Sequence, residues 1–156
     1  MEQRFQTFTV LIARISRNIR KIKNREMAEY GLRSTHVTCL YYLYTSESLT
    51  ATDLCGLCEE DKATISRALD FLEENGYIVC HAKQTKRYKS PLYLTDRGRE
   101  VGDKIAHKIN CVLDEICIDM NEQERAAFYR GLSMINDSLE LCAQGIGKAK
   151  KIKNNA

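Results

Sequence analysis

Apolar residues recur at helical spacing along most of this chain and give way to strand-like runs at one place only. Near the start, Phe8, Ile12, Ile15, Ile19 and Ile22 fall every three or four positions, which predicts one long helix over residues 5–27. Arg14, Arg17, Arg20 and Lys21 occupy its other faces and read as a solvated surface. Gly31 interrupts the pattern, and Ser34 or Thr35 can cap a second helix to about residue 44, with the stripe Val37, Leu40, Tyr41 and Tyr44. A short third helix follows Thr50, with Leu54 and Leu57 as its inward side. In residues 62–75, Ile65, Ala68, Leu69 and Leu72 stand at i, i+3, i+4 and i+7, and Asn75–Gly76 supplies a left-handed stop. The β-prone runs are Tyr77–Ile78–Val79–Cys80 and Leu92–Tyr93–Leu94. Helical spacing then resumes through Val101, Ile105, Ile109, Val112 and Ile116, a helix to about residue 118 that Thr95 can cap. A last helix carries Phe128, Leu132, Ile135 and Leu139 behind the capping pair Asn121 and Glu124.

The middle of this pattern has the order of a DNA-binding module. Thr50 can cap its helix with Asp53 in the first turn, Glu59–Glu60–Asp61 is a polar break, and Asp61 is a good N-cap for the next helix. On that second helix Lys62, Thr64, Ser66 and Arg67 lie outside the apolar stripe. Two helices joined by a short turn, the second with hydroxyls and cations near its N-terminus, form a helix-turn-helix whose second helix can enter a major groove. Arg67 is the candidate guanine reader, set against a phosphate contact or a salt bridge to Glu60 or Asp70. Between the two strands lie His81, Lys83, Lys86, Arg87 and Lys89 with no acid among them, the composition of a wing suited to phosphate contact or minor-groove insertion. Pro91, the only proline, sits where the return strand begins, a place that tolerates a missing N–H. The expected fold is mainly α with a small β-hairpin wing: a winged helix-turn-helix with long N- and C-terminal dimerisation helices.

The stretch resembles the DNA-binding lobe of the MarR (multiple antibiotic resistance regulator) family of bacterial transcription factors. The matching pieces are Leu49–Thr50–Ala51–Thr52–Asp53–Leu54, Asp61–Lys62–Ala63–Thr64–Ile65–Ser66–Arg67, Leu72–Glu73–Glu74–Asn75–Gly76–Tyr77–Ile78 and Leu94–Thr95–Asp96–Arg97–Gly98, with one long helix before and two after. The resemblance implies a homodimer on a pseudo-palindromic operator in double-stranded DNA, and a small aromatic effector that alters the spacing of the two DNA-binding lobes. Tyr41 and Tyr44 are the candidate lining of such a pocket, core packing being the plainer role for the tyrosines of this segment. Many members carry Asp-x-Arg at the wing tip. This chain has Thr85–Lys86–Arg87–Tyr88–Lys89, so Arg87 is the best candidate for the inserted side chain.

Length and composition narrow the reading further. At 156 residues the chain is one domain or one subunit of an oligomer, and 44% apolar residues can support a core. The first and last two helices are more than a winged lobe can cover, so a partner subunit is expected to bury their stripes. Residues 5–30 and 95–143 then make the dimerisation region, 34–94 the DNA-binding lobe and 144–156 a flexible basic tail. A net charge of +3 does not by itself imply nucleic acid, whereas the concentration of cations in the wing does. No apolar run is long enough for a membrane span and no secretory signal is visible, which makes the cytoplasm the expected location. Seven cysteines there are expected as reduced thiols. Cys55-Gly-Leu-Cys58 has the CxxC form, but the second ligand pair of a zinc site is missing. Packing is the plain role of Cys55, and a thiol sensor of the same fold, through Cys55 and Cys58, is the alternative. No triad, phosphate loop or metal set points to an enzyme, and no cofactor is expected. The function that follows is a sequence-specific regulator, a repressor by preference. The alternative from another class is a winged-helix protein-interaction module.

Overall fold

The computed structural model describes residues 6–80 and 87–145, in two compact units divided after Cys111. In the first unit a π-helical turn, Gln6–Val10, runs into α1, Leu11–Glu26. The apolar stripe is where the spacing puts it, yet Phe8, Ile12, Ile15 and Ile19 all stay exposed within the single chain. Met27 is buried at the end of α1, and Gly31 takes φ +68°, the left-handed turn that its lack of a Cβ permits.

Helix α2, Ser34–Thr45, departs from expectation in two respects. Its N-cap position is Arg33, not Ser34 or Thr35: the Arg33 N–H donates to His36 Nδ1 at 3.2 Å, while the Ser34 N–H donates to Asn24 Oδ1 at 2.7 Å. Its buried residues are Val37, Cys39, Leu40 and Leu43, whereas Tyr41 and Tyr44 are half-buried. The reason is tertiary. The helix packs against α1, against the two helices that follow it and against a strand, so no single stripe describes it.

Helix α3, Ala51–Cys58, opens as predicted: Thr50 Oγ1 accepts the Asp53 N–H and the Asp53 carboxylate accepts the Thr50 N–H. Leu54 is fully buried, but Leu57 is 42% exposed, and Ala51 supplies the other inward position. Glu59 then adopts φ +54°, an unusual left-handed turn for a residue with a side chain. Helix α4, Lys62–Glu74, follows, capped by Asp61 and burying the stripe Ile65, Ala68, Leu69 and Leu72 that its spacing announces. Past Gly76 (φ +70°) the chain enters β1, Ile78–Cys80, which pairs antiparallel with β2, Leu92–Leu94, with Ile78 opposite Leu94. Pro91 immediately precedes β2. An unforeseen third segment extends this sheet, because the Leu92 N–H donates to the Leu49 carbonyl at 2.9 Å.

Helix α5, Asp96–Ile116, begins at Thr95, whose hydroxyl accepts the Gly98 N–H at 3.0 Å and donates to the Gly76 carbonyl at 2.7 Å. The start of α5 is thereby tied to the end of α4, and Arg97 adds a bond from its guanidinium to the Asn75 carbonyl at 3.0 Å. Val101 and Ile105 are buried and Ile109 half-buried. The second unit holds the last residues of α5 and helix α6, Glu122–Ala143, whose Asn121–Glu124 capping box is the predicted one. Here the apolar positions Ile116, Phe128, Leu132, Ile135 and Leu139 are all exposed.

Candidate nucleic-acid interface

The buried stripe of α4 decides what its other side can do. With Ile65, Ala68, Leu69 and Leu72 facing the core, Lys62, Ala63 and Arg67 are exposed and Thr64 and Ser66 half-buried. These groups cluster at the helix N-terminus, where N–H groups and the helix dipole favour an anion. Asp61 meets part of that demand itself: Oδ1 accepts the Thr64 N–H at 2.9 Å and Oδ2 accepts the Thr64 hydroxyl at 2.8 Å. Those two bonds hold the Asp61 carboxyl below the ordinary carboxylate range. The Thr64 hydroxyl in turn accepts from Arg67 Nη2 at 3.3 Å. Thr64 is therefore part of the cap and a brace for Arg67, while Lys62 and Arg67 are the exposed cations and Ser66 the neighbouring hydroxyl.

Lys83 and Lys86 lie outside the described residues, as does His81. Arg87 is the first residue of a 3-10 turn, Arg87–Lys89, that leads back towards β2, and Lys89 is exposed. Thr52 of α3 donates to the Tyr88 carbonyl at 3.1 Å, which anchors the wing root to the helix-turn-helix. Tyr88 itself is 49% exposed. Sequence reading passed over both Tyr88 and Ala63. For Ala63 the signal was present, four residues before Arg67 and outside the apolar stripe; for Tyr88 nothing local marks an exposed aromatic.

The other candidate residues fall elsewhere. Tyr44 packs on Gly102 of α5, where an added Cβ would stand 2.9 Å from the Tyr44 Cβ, and its hydroxyl donates to Asp103 Oδ1 at 2.8 Å. The hollow beside it is open and lined by Asp96, Arg99, Glu100 and Asp103, a charged surface. Tyr41 is not in that hollow and instead meets the Tyr42 ring edge-on at 5.7 Å. Cys55 packs against the core, while Cys58 turns to Cys39 of α2, with sulfur atoms 3.9 Å apart. Among the described residues no group of three or more His, Cys, Asp or Glu is placed to hold a metal ion.

His36 is a structural residue, half-buried between helices. Its ring stacks on Phe71 of α4 at 4.3 Å and 6°, and Nδ1 accepts the Arg33 N–H. Burial, and then the nearby Arg33 charge, lower its pKa from the ordinary histidine value. The neutral ring is thus the folded form, so its contribution is complete above the unfolded value of about 6.5 and is lost as pH falls through the lower folded value. Urea midpoints at pH 7.5 and 5.5 are expected to differ more for the natural protein than for His36→Gln. Equal differences would remove His36 from the acid sensitivity.

A helix pair with a short turn, a capped second helix bearing exposed cations and a pinned hairpin define the winged helix-turn-helix class. The profile of the MarR family matches residues 32–80, from the turn before α2 to the end of β1. The chain is 26% identical over 113 residues to the uncharacterized HTH-type transcriptional regulator YwoH of Bacillus subtilis (strain 168), covering 72% of this chain and 82% of that protein. Its fold is similar to the crystal structure of MarR, at 26% identity and TM-score 0.72 over 88% of this chain and 93% of that one. It is also similar to that of the S. aureus MepR–DNA complex, with TM-score 0.76 at 18% identity over 85% of this chain and 97% of that one. Residues 32–80 thus form a MarR-family region within a winged helix-turn-helix fold similar to that of MarR.

Proposed function

We propose that this protein is a sequence-specific regulator that binds double-stranded DNA as a homodimer in the cytoplasm and represses transcription from a pseudo-palindromic operator. The observation that carries this reading is the division of α4 into two sides. Its apolar side is fully buried, which leaves Lys62, Ser66 and Arg67 together on the outer side near the helix N-terminus. Arg67 reads a guanine, Lys62 holds phosphate, and Lys83, Lys86, Arg87 and Lys89 of the wing add salt-dependent affinity. The MepR relative is named as a complex with DNA, which supports the same use of the shared fold. The homodimer is supported by the exposed apolar positions of α1 and α6, which resemble the half of a subunit interface that a partner copy would cover.

Selection of bound sequences from a random duplex pool, followed by titration over a salt series, tests the reading. The expected result is a two-fold symmetric motif with half-sites about 10 bp apart, bound two subunits per duplex with a steep salt slope. Absence of binding at low salt by a folded, reduced protein would overturn it. No helix among the described residues is long and apolar enough to cross a membrane.

A further inference from the structure

The described cysteines are unequally placed, and two of them meet across helices. Cys39 is completely buried in the middle of α2, Cys58 is the half-buried last residue of α3, and their sulfurs are 3.9 Å apart. Cys58 also lines a hollow of about 280 Å³ together with Arg20, Lys23, Thr35, Thr38 and Glu60. The ammonium of Lys23 is fixed at this place by a bond to the Thr38 hydroxyl at 2.9 Å, and Thr38 donates in turn to the Ser34 carbonyl at 2.9 Å. A thiol with a second, buried thiol on one side, a fixed cation on another and a polar opening on a third has the surroundings of a reactive cysteine.

We propose that Cys58 and Cys39 are a dithiol oxidation site, in which Cys58 reacts with a hydroperoxide entering the hollow and Cys39 closes a disulfide between α3 and α2. The Cys58 thiolate attacks the distal peroxide oxygen: an S–O bond forms, the O–O bond breaks, and the departing alkoxide takes from solvent the proton that Cys58 had released. The Cys39 sulfur then attacks the Cys58 sulfur, an S–S bond forms, the S–O bond breaks, and hydroxide leaves as water with the Cys39 proton. Two thiols and one hydroperoxide become one disulfide, one alcohol and one water.

The electrostatics assign these two roles. The hydrogen bond from Cys39 and the charge of Lys23 lower the Cys58 pKa against the opposing effects of burial and of Glu60, whereas Cys39, donating to Cys58 and fully buried, is pushed far up. Burial lowers the pKa of Lys23, and Cys58 partly restores it. Cys39 stays a donor until Cys58 has lost its negative charge to the sulfenic acid, and only then becomes the attacking group. Cys55, three residues from Cys58 on the same helix, packs on the same core, but the sulfur that meets Cys58 is that of Cys39.

Closing the bond brings the sulfurs from 3.9 Å to about 2 Å and draws the end of α3 towards α2. The next residue, Glu59, is the left-handed turn, and Asp61 caps α4. Oxidation therefore acts on the turn that orients the recognition helix, a consequence that rests on the proposed DNA-binding function.

The test treats the full-length reduced protein with one equivalent of tert-butyl hydroperoxide and maps its peptides by mass spectrometry. The expected product links Cys39 to Cys58 within one chain with loss of two hydrogens. Cys39→Ala should stop at a sulfenic acid on Cys58 that dimedone traps. Lys23→Met should move the pH profile of Cys58 alkylation upward, which a change in packing alone would not do. A Cys55–Cys58 or intermolecular disulfide as the main product, or a Cys58 no faster than exposed Cys142, would overturn the proposal. On a selected duplex, oxidised protein should bind at least tenfold more weakly, with reductant restoring it; unchanged affinity would remove the switch. If the reduced protein binds no duplex, the regulator reading fails, and the peptide map still decides the disulfide.

Discussion

Gly98→Ala is expected to destabilise the protein by about 3 kcal/mol, the upper end of what a single overpacked methyl costs. Gly98 lies in the first turn of α5, and a Cβ built there would overlap the Tyr77 carbonyl oxygen and stand 3.2 Å from Leu94 Cδ2. The carbonyl cannot step aside freely, because it accepts the Thr95 N–H at 3.1 Å, and Tyr77 is held between the end of α4 and β1. Relief would have to separate α5 from the turn that ends α4. Gly56→Ala is the informative counterpart: it lies inside α3 with nothing within 4 Å of an added Cβ, so the better helix former should stabilise by about 0.5–1 kcal/mol. Urea unfolding at one fixed protein concentration compares the two. A Gly98→Ala protein as stable as the natural one would refute the steric argument.

Arg67→Ala is expected to weaken binding to the selected operator by about tenfold to a hundredfold and to erase the preference at one base position, the loss of about 1–3 kcal/mol for a bidentate guanine contact. The structure favours this residue because Arg67 is exposed on the outer side of α4 and its guanidinium is steadied by the Thr64 hydroxyl, itself bound to the Asp61 cap. Lys62→Ala supplies the contrast. A cation at the first helical residue should touch phosphate, so its loss should weaken all duplexes alike and reduce the salt slope by about one. Titrations of both variants on the operator and on single-base changes separate the roles. If Arg67→Ala weakens every duplex equally, Arg67 is a phosphate contact and sequence is read elsewhere.

Much of the fold was legible in the chain because its governing interactions are local. Thr50 with Asp53, Asp61 with Thr64, and Asn121 with Glu124 are caps made within three residues. The α4 stripe is a matter of helical period alone, and knowing its buried face identified Lys62, Ser66 and Arg67 as the outer one. The helix-turn-helix and the candidate interface could both be read for that reason.

What only the tertiary structure decided comes from contacts between residues far apart in sequence, which leave no period. Helix α2 is packed by several elements, so Cys39 and Leu43 are buried where the stripe suggested Tyr41 and Tyr44. Leu57 points out because Ala51 and Leu54 already fill the inward side of a two-turn helix. The bond between Leu92 and Leu49, the close approach of Gly98 to Tyr77, and the stacking of His36 on Phe71 likewise join separate segments. Cys58 shows the difference most plainly. Its spacing from Cys55 suggested a pair within one helix, whereas packing of α3 on α2 set it against Cys39, nineteen residues away. Local spacing determines which face a residue occupies; only the docking of one element on another determines what that face meets.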